Sequence, residues 1–359
     1  MWDLAVREDD YQAATSMVQR MKEKAPLSMR VLLTFASGDT AKRAAIVEQA
    51  RVSDSRQSQI GGRYVATFLE EFAAAESLFR LDLAERRRAP IRVNAQIFLA
   101  WLEVARGRWG AARTAFSDAE TMPEGQSTLN QRAIAASLPF LNTPRADLEA
   151  IRAELATSNP DASTTDPGAS LSVRLQPHLR LYLLGLLSSR LGDFLSAATF
   201  VSEMERTSVP AEARDVVRGM AATVRADVAT QGGAPAGTLD ITPGSIPLEL
   251  VSVPLFANVR EFTLEHARFV RVIQLAANGD FTSALQAMET GFQGSPGEFV
   301  FLAPLHEQRA RIQEQLGDRQ KAIEHYRRFI QLWGDADRAV QPRVEAARAA
   351  IARLERSGN

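Results

Sequence analysis

Four histidines are the side chains of this sequence with the widest catalytic and metal-binding chemistry. They are His178, His266, His306 and His325. An imidazole nitrogen can bind a metal ion or exchange a proton near neutral pH. None of the four lies in a His-Glu-x-x-His motif, and no two share a metal-ligand spacing on one helix. The sequence therefore predicts no metal site, and each histidine is expected on a helix surface or between helices.

Motifs that activate a nucleophile or bind phosphate are missing. Cysteine is absent, which excludes a thiolate nucleophile, a disulfide and a zinc–thiolate site. No Gly-x-Ser-x-Gly turn occurs, and the glycine-rich stretch that begins at residue 230 has no Gly-Lys-Ser/Thr ending. The carboxylate pairs Asp9-Asp10 and Glu70-Glu71 fall at predicted helix turns, where capping explains them. No catalytic residue, cofactor or metal is predicted, and an active site assembled from distant residues stays an open alternative.

The charges of the chain are almost balanced, with 42 Lys plus Arg against 43 Asp plus Glu and a net charge of −1. A surface that binds duplex nucleic acid needs surplus cations to displace the phosphate counterions, so no direct nucleic-acid partner is predicted. One basic run, AERRRAP, occupies residues 84–90. It ends a predicted helix, where cations offset the helix dipole. A basic docking patch is the alternative.

The elements that would position these residues are clearest in QLGDRQKAIEHYRRF, residues 315–329. Gly317 suits the left-handed residue that ends a helix, and Asp318 can cap the next helix with its carboxylate. Ala322, Tyr326 and Phe329 then follow at helical spacing and form one apolar stripe. The segment predicts two antiparallel helices joined by a tight turn.

The same pattern recurs along the chain. Clear copies occupy residues 99–116, 183–200 and 272–288, and weaker ones 6–18, 34–46 and 68–79. In each clear copy an alanine lies five residues after the turn glycine, where two helices must approach closely. Each hairpin is too small to bury its apolar face alone, so neighbouring hairpins must stack. The sequence predicts an all-α fold, an α-α superhelix of antiparallel helical hairpins.

This pattern resembles the tetratricopeptide repeat (TPR), whose period is roughly 34 residues. The C-terminal copy matches best, although His306 stands where strong repeats have a large apolar residue. The resemblance implies a right-handed superhelix whose first helices line a concave groove for a peptide or protein partner. A generic helical solenoid is the alternative.

The predicted organisation is a linear series of segments. It runs as TPR-like hairpins at 1–157, a Ser/Thr/Pro-rich linker at 158–172, a hairpin plus helix at 173–229, a Gly/Pro-rich insertion with an extended apolar segment at 230–262, and hairpins with a capping helix at 263–359. The first hairpin has no visible cap, so a second copy or an effector domain is expected to cover it.

A narrower resemblance concerns the block that begins EFVFLAPLHEQRARIQEQLGD at residue 298. It is similar to the closing repeats of bacterial multidomain signalling proteins, in which a serine/threonine protein kinase or another effector precedes a TPR array. The chain has no glycine-rich ATP loop, His-Arg-Asp loop or Asp-Phe-Gly, so only a regulatory or docking role is implied. The sensor region of a transcription regulator is the alternative.

Residues that would line the groove follow from the turn positions, with Glu70 taken as the turn residue of its hairpin. They are Ile60, Tyr64, Ile97, Trp101, Tyr182, Leu186, Phe269, Ile273, Glu307 and Arg311. Family members that grip a C-terminal carboxylate have Lys and Asn here, so the resemblance does not extend to that ligand. A largely apolar groove with one polar end is predicted, and packed core is the alternative.

No apolar run reaches the roughly 18 residues that a membrane-spanning helix needs. The N-terminal stretch MWDLAVREDDY lacks the cationic and apolar regions of a secretion signal. The expectation is a cytoplasmic protein without membrane insertion.

Overall fold

A computed structural model describes residues 5–6, 8–21, 24–53, 56–158, 169–233, 254–290 and 298–356. Within these ranges the chain forms helices, turns and bends, and no strand occurs. The predicted all-α class is therefore confirmed. None of the helices in these ranges has both the length and the apolar composition of a bilayer span.

The helices are numbered in chain order. They are α1 Tyr11–Met21, α2 Leu27–Ala36, α3 Thr40–Val52, α4 Gln57–Phe68, α5 Phe72–Leu81, α6 Ala89–Ala105, α7 Trp109–Thr121, α8 Leu129–Ser137, α9 Arg145–Thr157, α10 Leu171–Arg174, α11 Gln176–Arg190, α12 Phe194–Arg206, α13 Arg214–Gln231, α14 Pro254–Ala277, α15 Phe281–Thr290, α16 Leu302–Gln315, α17 Arg319–Trp333 and α18 Gln341–Arg356. Short 3₁₀ turns occupy Ala211–Ala213 and Glu298–Phe301.

The turns between paired helices share one backbone conformation. The predicted turn glycines are all left-handed, with φ 70° at Gly38, 71° at Gly107, 76° at Gly192, 78° at Gly279 and 79° at Gly317. An aspartate follows most of them and accepts a hydrogen bond from the backbone N–H three residues on: Asp39 from Lys42, Asp193 from Ser196, Asp280 from Ser283, and Asp318 from Lys321. This geometry ends one helix and caps the next, so the predicted hairpin turns are confirmed.

The predicted small residues lie where paired helices touch. Ala112, Ala197, Ala284 and Ala322, each five residues after its turn glycine, have no exposed surface. Ala75 takes the equivalent place after Glu70 and is also fully buried. A larger side chain at these positions would push the two helices of a hairpin apart.

The chain divides into two compact units, each built from discontinuous segments rather than from the linear series that the sequence predicts. The first comprises Met1–Thr128, Gln293–Ala303 and Phe329–Asp337. The second comprises Leu129–Phe292, Pro304–Arg328 and Arg338–Asn359.

In the first unit, hairpins α4–α5 and α6–α7 are joined by two segments from the C-terminal part of the chain. The turn Glu298–Phe301 packs on α4 and α6, and the ring of Phe299 meets that of Phe72 edge-on at 6.5 Å. Trp333, at the end of α17, donates a hydrogen bond to the carbonyl of Ala105, 228 positions earlier. An open repeat array confines contacts to neighbouring hairpins. These long-range contacts are therefore an addition that the repeat pattern does not predict.

In the second unit, α11 is the central helix and packs on α8, α9, α12 and α13. Gly185 allows the close approach of α13, since a Cβ atom there would meet Val224 at 3.0 Å. The side chains of Tyr182, Leu183 and Leu187 are at most 2% exposed. Polar residues such as His178, Ser188 and Ser189 are buried as well, so this helix is covered on nearly every face.

The two predicted interruptions lie largely outside the described residues, which omit 159–168 and 234–253. The sequence predicts that 230–262 is an insertion with an extended segment, but α13 continues to Gln231 and α14 begins at Pro254. Residues 254–262 are therefore helical. Proline suits the first turn of a helix, where its missing N–H needs no partner.

Candidate functional site

The candidate site is a cleft of about 650 Å³ in the first unit. It lies where the α4–α5 turn, the α6–α7 turn and the end of α17 meet, and we call it the turn cleft. Its lining residues are Glu70, Glu71, Phe72, Ala73, Ala74, Glu76, Arg106, Arg108, Gln331, Leu332 and Asp335. Phe72 and Leu332, each 7% exposed, contribute apolar surface among six charged lining side chains.

Glu70 enters the cleft from a strained backbone position. It occupies the place that glycine holds in the other turns, and its φ is 57°. A residue with a Cβ atom is disfavoured in this conformation by about 1 kcal/mol or more. The turn closes with a hydrogen bond from the Glu71 N–H to the Val65 carbonyl, at 3.4 Å. The hairpin therefore holds a carboxylate at the cleft at a cost to its own stability.

The two arginines of the cleft form ion pairs with neighbouring carboxylates. Arg106 Nη1 lies 2.7 Å from Glu76 and 2.7 Å from Glu103. Burial alone would raise the pKa of Glu76, but hydrogen bonds from Arg106 and Arg80 outweigh it and lower that pKa below its ordinary value. Glu76 is consequently ionised at neutral pH and neutralises much of the Arg106 charge.

The remaining carboxylates of the rim differ in how firmly they are held. Glu71 accepts hydrogen bonds from both Nη atoms of Arg43, at 3.0 and 3.2 Å. Asp335 has a side chain that is 91% exposed, and its carboxylate lies 3.6 Å from Arg108. Arg108 instead donates from Nε to the Asp335 carbonyl, at 3.0 Å. The backbone of Asp335 is fixed while its carboxylate faces solvent.

One wall of the cleft depends on a close approach at Gly107. A Cβ atom on this glycine would meet the Ala336 Cβ at 3.0 Å and the Trp333 ring at 3.1 Å. The Gly107 carbonyl accepts a hydrogen bond from the Asp337 N–H, at 3.0 Å, and the Asp337 carboxylate accepts one from the Gly110 N–H, at 3.2 Å. The segment that carries Leu332 and Asp335 is thus docked on the α6–α7 turn.

The predicted groove residues of the first unit fall into two groups. Ile60, Tyr64 and Ile97 are half-buried. Trp101 is 3% exposed and packs edge-on against the ring of Phe116, at 5.3 Å. Tyr64 packs against a core cluster that includes Val18. None of these residues lines the turn cleft, so the structure does not bring the predicted groove and the cleft together.

In the second unit most of the predicted groove residues are core. Tyr182, Leu186 and Phe269 are at most 2% exposed, whereas Ile273 is half-buried. A side chain with so little exposure is out of reach of a partner, because its apolar surface is already covered by its own chain. These three residues are therefore packed core, which was the alternative to their predicted place in the groove.

The predicted polar end of the groove is an ion-pair network in the second unit. Glu307 is 2% exposed and accepts from Arg311 at 2.6 Å, while the Arg311 side chain itself is exposed. Arg343 donates to Glu307 from Nε at 3.0 Å and to the Phe140 carbonyl from Nη1 at 2.7 Å. The buried carboxylate therefore ties α16 and α18 to the segment after α8.

The histidines form no metal centre within the described residues, where no three His, Asp or Glu side chains converge. His306 and His325 face each other with their Nδ1 atoms 3.0 Å apart. Both therefore lie between helices, one of the two positions that the sequence predicts, although nothing in the sequence indicates that they pair. His266 lies 3.9 Å from Asp227, both almost fully buried. His178 lies against the Thr207 carbonyl at 3.4 Å, and burial lowers its pKa below the ordinary value.

In the basic run at 84–90, one arginine is buried in an ion pair and its two neighbours are exposed. Arg87 is 4% exposed, pairs with the buried Asp82 at 3.0 Å, and donates to the Ala50 carbonyl at 2.9 Å. The neighbouring Arg86 and Arg88 are exposed. A docking patch here would therefore lack its central cation.

Sequence reasoning missed the turn cleft as a site. The one local signal is Glu70 in place of a turn glycine, and capping of the next helix explains that residue equally well. The wall formed by Leu332 and Asp335 has no signal in the sequence, since it depends on docking between distant segments.

Comparison of the chain with protein-family models, with curated proteins and with solved structures finds no match to any of them.

Proposed function

We propose that this chain is a non-catalytic scaffold that binds a segment of a partner protein, and that the turn cleft is a docking site. The observation that supports the proposal best is the cleft itself, about 650 Å³ in volume, at the junction of two hairpin turns and a docked C-terminal segment. Ligand sites of proteins commonly range from about 300 to 1,000 Å³. The cleft can therefore hold several side chains of an extended segment.

The chemistry of the cleft favours a peptide over a small metabolite. Phe72 and Leu332 offer apolar contact, and the charged lining side chains come from two hairpin turns and the end of α17. Peptide-binding surfaces combine apolar anchor positions with a polar rim that excludes water and fixes the register. No converging set of nucleophile and base side chains lies among the lining residues.

The repeated hairpins support the same role. Their shared turns and buried alanines resemble TPR arrays, and we propose that the hairpins continue as a right-handed α-α superhelix. The resemblance of the C-terminal block to the closing repeats of bacterial signalling proteins suggests a regulatory or docking array in such a system, in the cytoplasm. The half-buried Ile60, Tyr64 and Ile97 are the positions where a concave groove would remain open to a partner.

Site-specific photo-crosslinking tests the proposal. A p-benzoylphenylalanine at Ala73, an exposed position of the cleft, should capture a protein from extracts of the source cells. Leu195 is the matched control, since it lies three residues after the turn glycine Gly192, as Ala73 lies three after Glu70, and is 82% exposed. The captured protein, once purified, should bind the unmodified chain in titration calorimetry.

Equal capture at Ala73 and Leu195 would show that contact with the cleft is nonspecific and would contradict the docking site. A probe at Ile97 separates the two surfaces: strong capture there with none at Ala73 would move the docking site to the predicted groove.

A further inference from the structure

Two histidines of the second unit, His306 on α16 and His325 on α17, face each other across their hairpin. Their Nδ1 atoms are 3.0 Å apart, and their ring centres are 5.2 Å apart with an angle of 36° between the ring planes. The difference between the two separations is close to twice the distance from the centre of an imidazole ring to its edge. The two Nδ1 atoms therefore lie near the line that joins the ring centres and point at each other.

This geometry is that of a hydrogen bond between two imidazole rings. The Nδ1 atoms are within hydrogen-bond distance of each other. A neutral imidazole has one N–H donor and one acceptor nitrogen, whereas an imidazolium has two donors and no acceptor. One Nδ1 must therefore carry a proton that the other accepts. The bond forms when both rings are neutral or when one is charged, but not when both are charged.

A shared proton accounts for the contact better than a metal ion does. Metal–nitrogen bonds are about 2.0–2.1 Å long, so two nitrogens that point at each other would be about 4 Å apart with a metal ion between them. The observed separation is 3.0 Å. Among the residues that the structure describes, moreover, no group of three His, Asp or Glu side chains could hold a metal ion.

The cations around the pair oppose a second positive charge on it. His306 is 6% exposed, and His325 is half-buried. The charged groups along the elements that contact this hairpin are Glu307 and Arg309 on α16, Lys321, Glu324 and Arg328 on α17, Glu289 on α15 and Arg343 on α18. The three cations on α16 and α17 each lie three or four positions from a histidine on the same helix, where side chains are neighbours.

The carboxylates near the pair have other partners or face solvent. Glu307, next to His306 in the chain, is bound by Arg311 and Arg343. The side chains of Glu289 and Glu324 are exposed. A second proton would therefore set two positive charges and two N–H donors against each other in a partly buried contact, which like-charge repulsion disfavours.

We propose that the facing histidines are a pH-sensitive contact in the α16–α17 hairpin. Near neutral pH one proton lies between the two Nδ1 atoms, and the helices stay joined at this point. In mild acid both rings become imidazolium, the hydrogen bond is lost, and the helices loosen there. The contact lies outside the turn cleft, so this inference is independent of the docking function.

Acid should destabilise the hairpin, because the unfolded chain binds more protons than the folded pair. An exposed histidine is half-protonated near pH 6.5, so the two histidines of an unfolded chain bind two protons in mild acid. The folded pair binds at most one while the contact holds. Stability falls with pH wherever the unfolded chain binds more protons. The fall in the folding equilibrium constant due to this pair should therefore approach about tenfold per pH unit near pH 5.

Urea unfolding of the full chain between pH 7 and pH 5 tests the proposal with H306Q, H325Q and the double variant H306Q/H325Q. Glutamine keeps a donor and an acceptor but does not titrate in this range. Each variant is compared with its own stability at pH 7, so that a loss of packing cancels. Either single variant should remove up to about tenfold per pH unit of the acid dependence, and the double variant should remove no more.

His178 provides the matched control for this lack of additivity. It is as buried as His306 but lies against the Thr207 carbonyl instead of a second histidine, and burial lowers its pKa. H178Q should also reduce the acid dependence, because the folded protein resists protonation of this ring. Its effect should add to that of H325Q, since the two rings do not share a proton.

Hydrogen exchange followed by mass spectrometry locates the effect in the chain. The amides of α16 and α17 should lose protection between pH 7 and pH 5, after correction for the intrinsic exchange rate, while those of α6 and α7 should not. The α6–α7 hairpin has the same left-handed turn glycine and contains no histidine. This comparison needs only the unmodified chain, so it decides the proposal even if a glutamine variant does not fold.

An unchanged acid dependence in H325Q would overturn the proposal, because burial of His306 alone would then explain the effect. Additive effects of H306Q and H325Q would overturn it too, since they would show two independent titrations. Zn²⁺ or Ni²⁺ that raised the Tm of the unmodified chain, but of neither single variant, would assign a metal site in place of the shared proton. Equal loss of protection in α6–α7 and α16–α17 would show general acid unfolding.

Discussion

The indole Nε1 of Trp333 donates a hydrogen bond to the carbonyl oxygen of Ala105 at 2.7 Å, across 228 positions of the sequence. The indole is fully buried, and Ala105 is the last residue of α6. The last carbonyls of a helix have no partner within it. The contact therefore gives the last carbonyl of α6 a hydrogen-bond donor from a distant part of the chain. It also holds the end of α17, which forms one wall of the turn cleft.

The first prediction concerns the glycine beneath this contact. Gly107→Ala should destabilise the protein more than Gly192→Ala, by about 1–3 kcal/mol in the free energy of unfolding measured with urea. Both glycines have a left-handed φ, 71° and 76°, so the backbone strain of alanine is shared. Only at Gly107 would the new methyl meet Trp333 and Ala336, since nothing lies within 4 Å of Gly192. Equal losses of unfolding free energy in the two variants would contradict this, because they would show that the segment around Trp333 and Ala336 moves to accommodate the methyl group without an energetic penalty.

The second prediction concerns the strain at Glu70. Glu70→Gly should raise the free energy of unfolding, by up to about 1 kcal/mol, because glycine adopts a positive φ without steric cost. Glu124→Gly is the matched control: its φ is 62°, and it lies outside the turn cleft. Both variants should gain thermal stability, and only Glu70→Gly should lose crosslinking at Ala73. If Glu70→Gly left crosslinking at Ala73 unchanged, the strained residue would not be needed for docking at the cleft.

The third prediction concerns the buried carboxylate of the second unit. Arg343→Met should cost about 3–5 kcal/mol, because it leaves Glu307 buried beside only the exposed Arg311. The double variant Glu307→Leu/Arg343→Met should cost clearly less, since it removes the uncompensated charge as well. Arg348→Met should change stability by less than about 0.5 kcal/mol, because its pair with Glu345 is exposed. Additive losses in the double variant would refute the coupling.

The fourth prediction is a pH dependence at Glu314. A hydrogen bond from Arg353 lowers the pKa of this carboxyl below its ordinary value of 4.5, against a smaller opposing effect of burial, and Tyr326 donates a further bond at 3.1 Å. A depressed folded-state pKa adds stability above the unfolded pKa that is lost as pH falls through the folded one. Glu314→Gln should therefore be less stable than the unmodified chain at pH 7, by about 1 kcal/mol or less.

Urea titrations at pH 7 and at successive steps below pH 4.5 check this sign. The difference between Glu314→Gln and the unmodified chain should shrink towards zero as the pH falls. Glu345→Gln, on the exposed face of α18, serves as the comparison. A difference that persisted in strong acid would assign the effect of the variant to packing instead of charge.

The sequence by itself determined the hairpins. Gly317 with Asp318, and the equivalent pairs in other turns, act through φ and one capping hydrogen bond, both of which span only a few residues. The alanines five residues after each turn glycine are buried because two adjacent helices must approach there, which is again a local requirement. Such features can be inferred from residue type and spacing because the atoms involved are neighbours in the chain.

Only the tertiary structure decided which faces of the hairpins are covered. Trp101, Tyr182 and Phe269 have the helical spacing of groove residues, yet all three are buried, since the same periodicity describes any side chain that faces another helix. The docking of Trp333 on Ala105, the pairing of Arg343 with Glu307, and the cleft between Glu70 and Asp335 join residues from distant segments. Their positions depend on how the hairpins stack, and a single sequence carries no local signal for that arrangement.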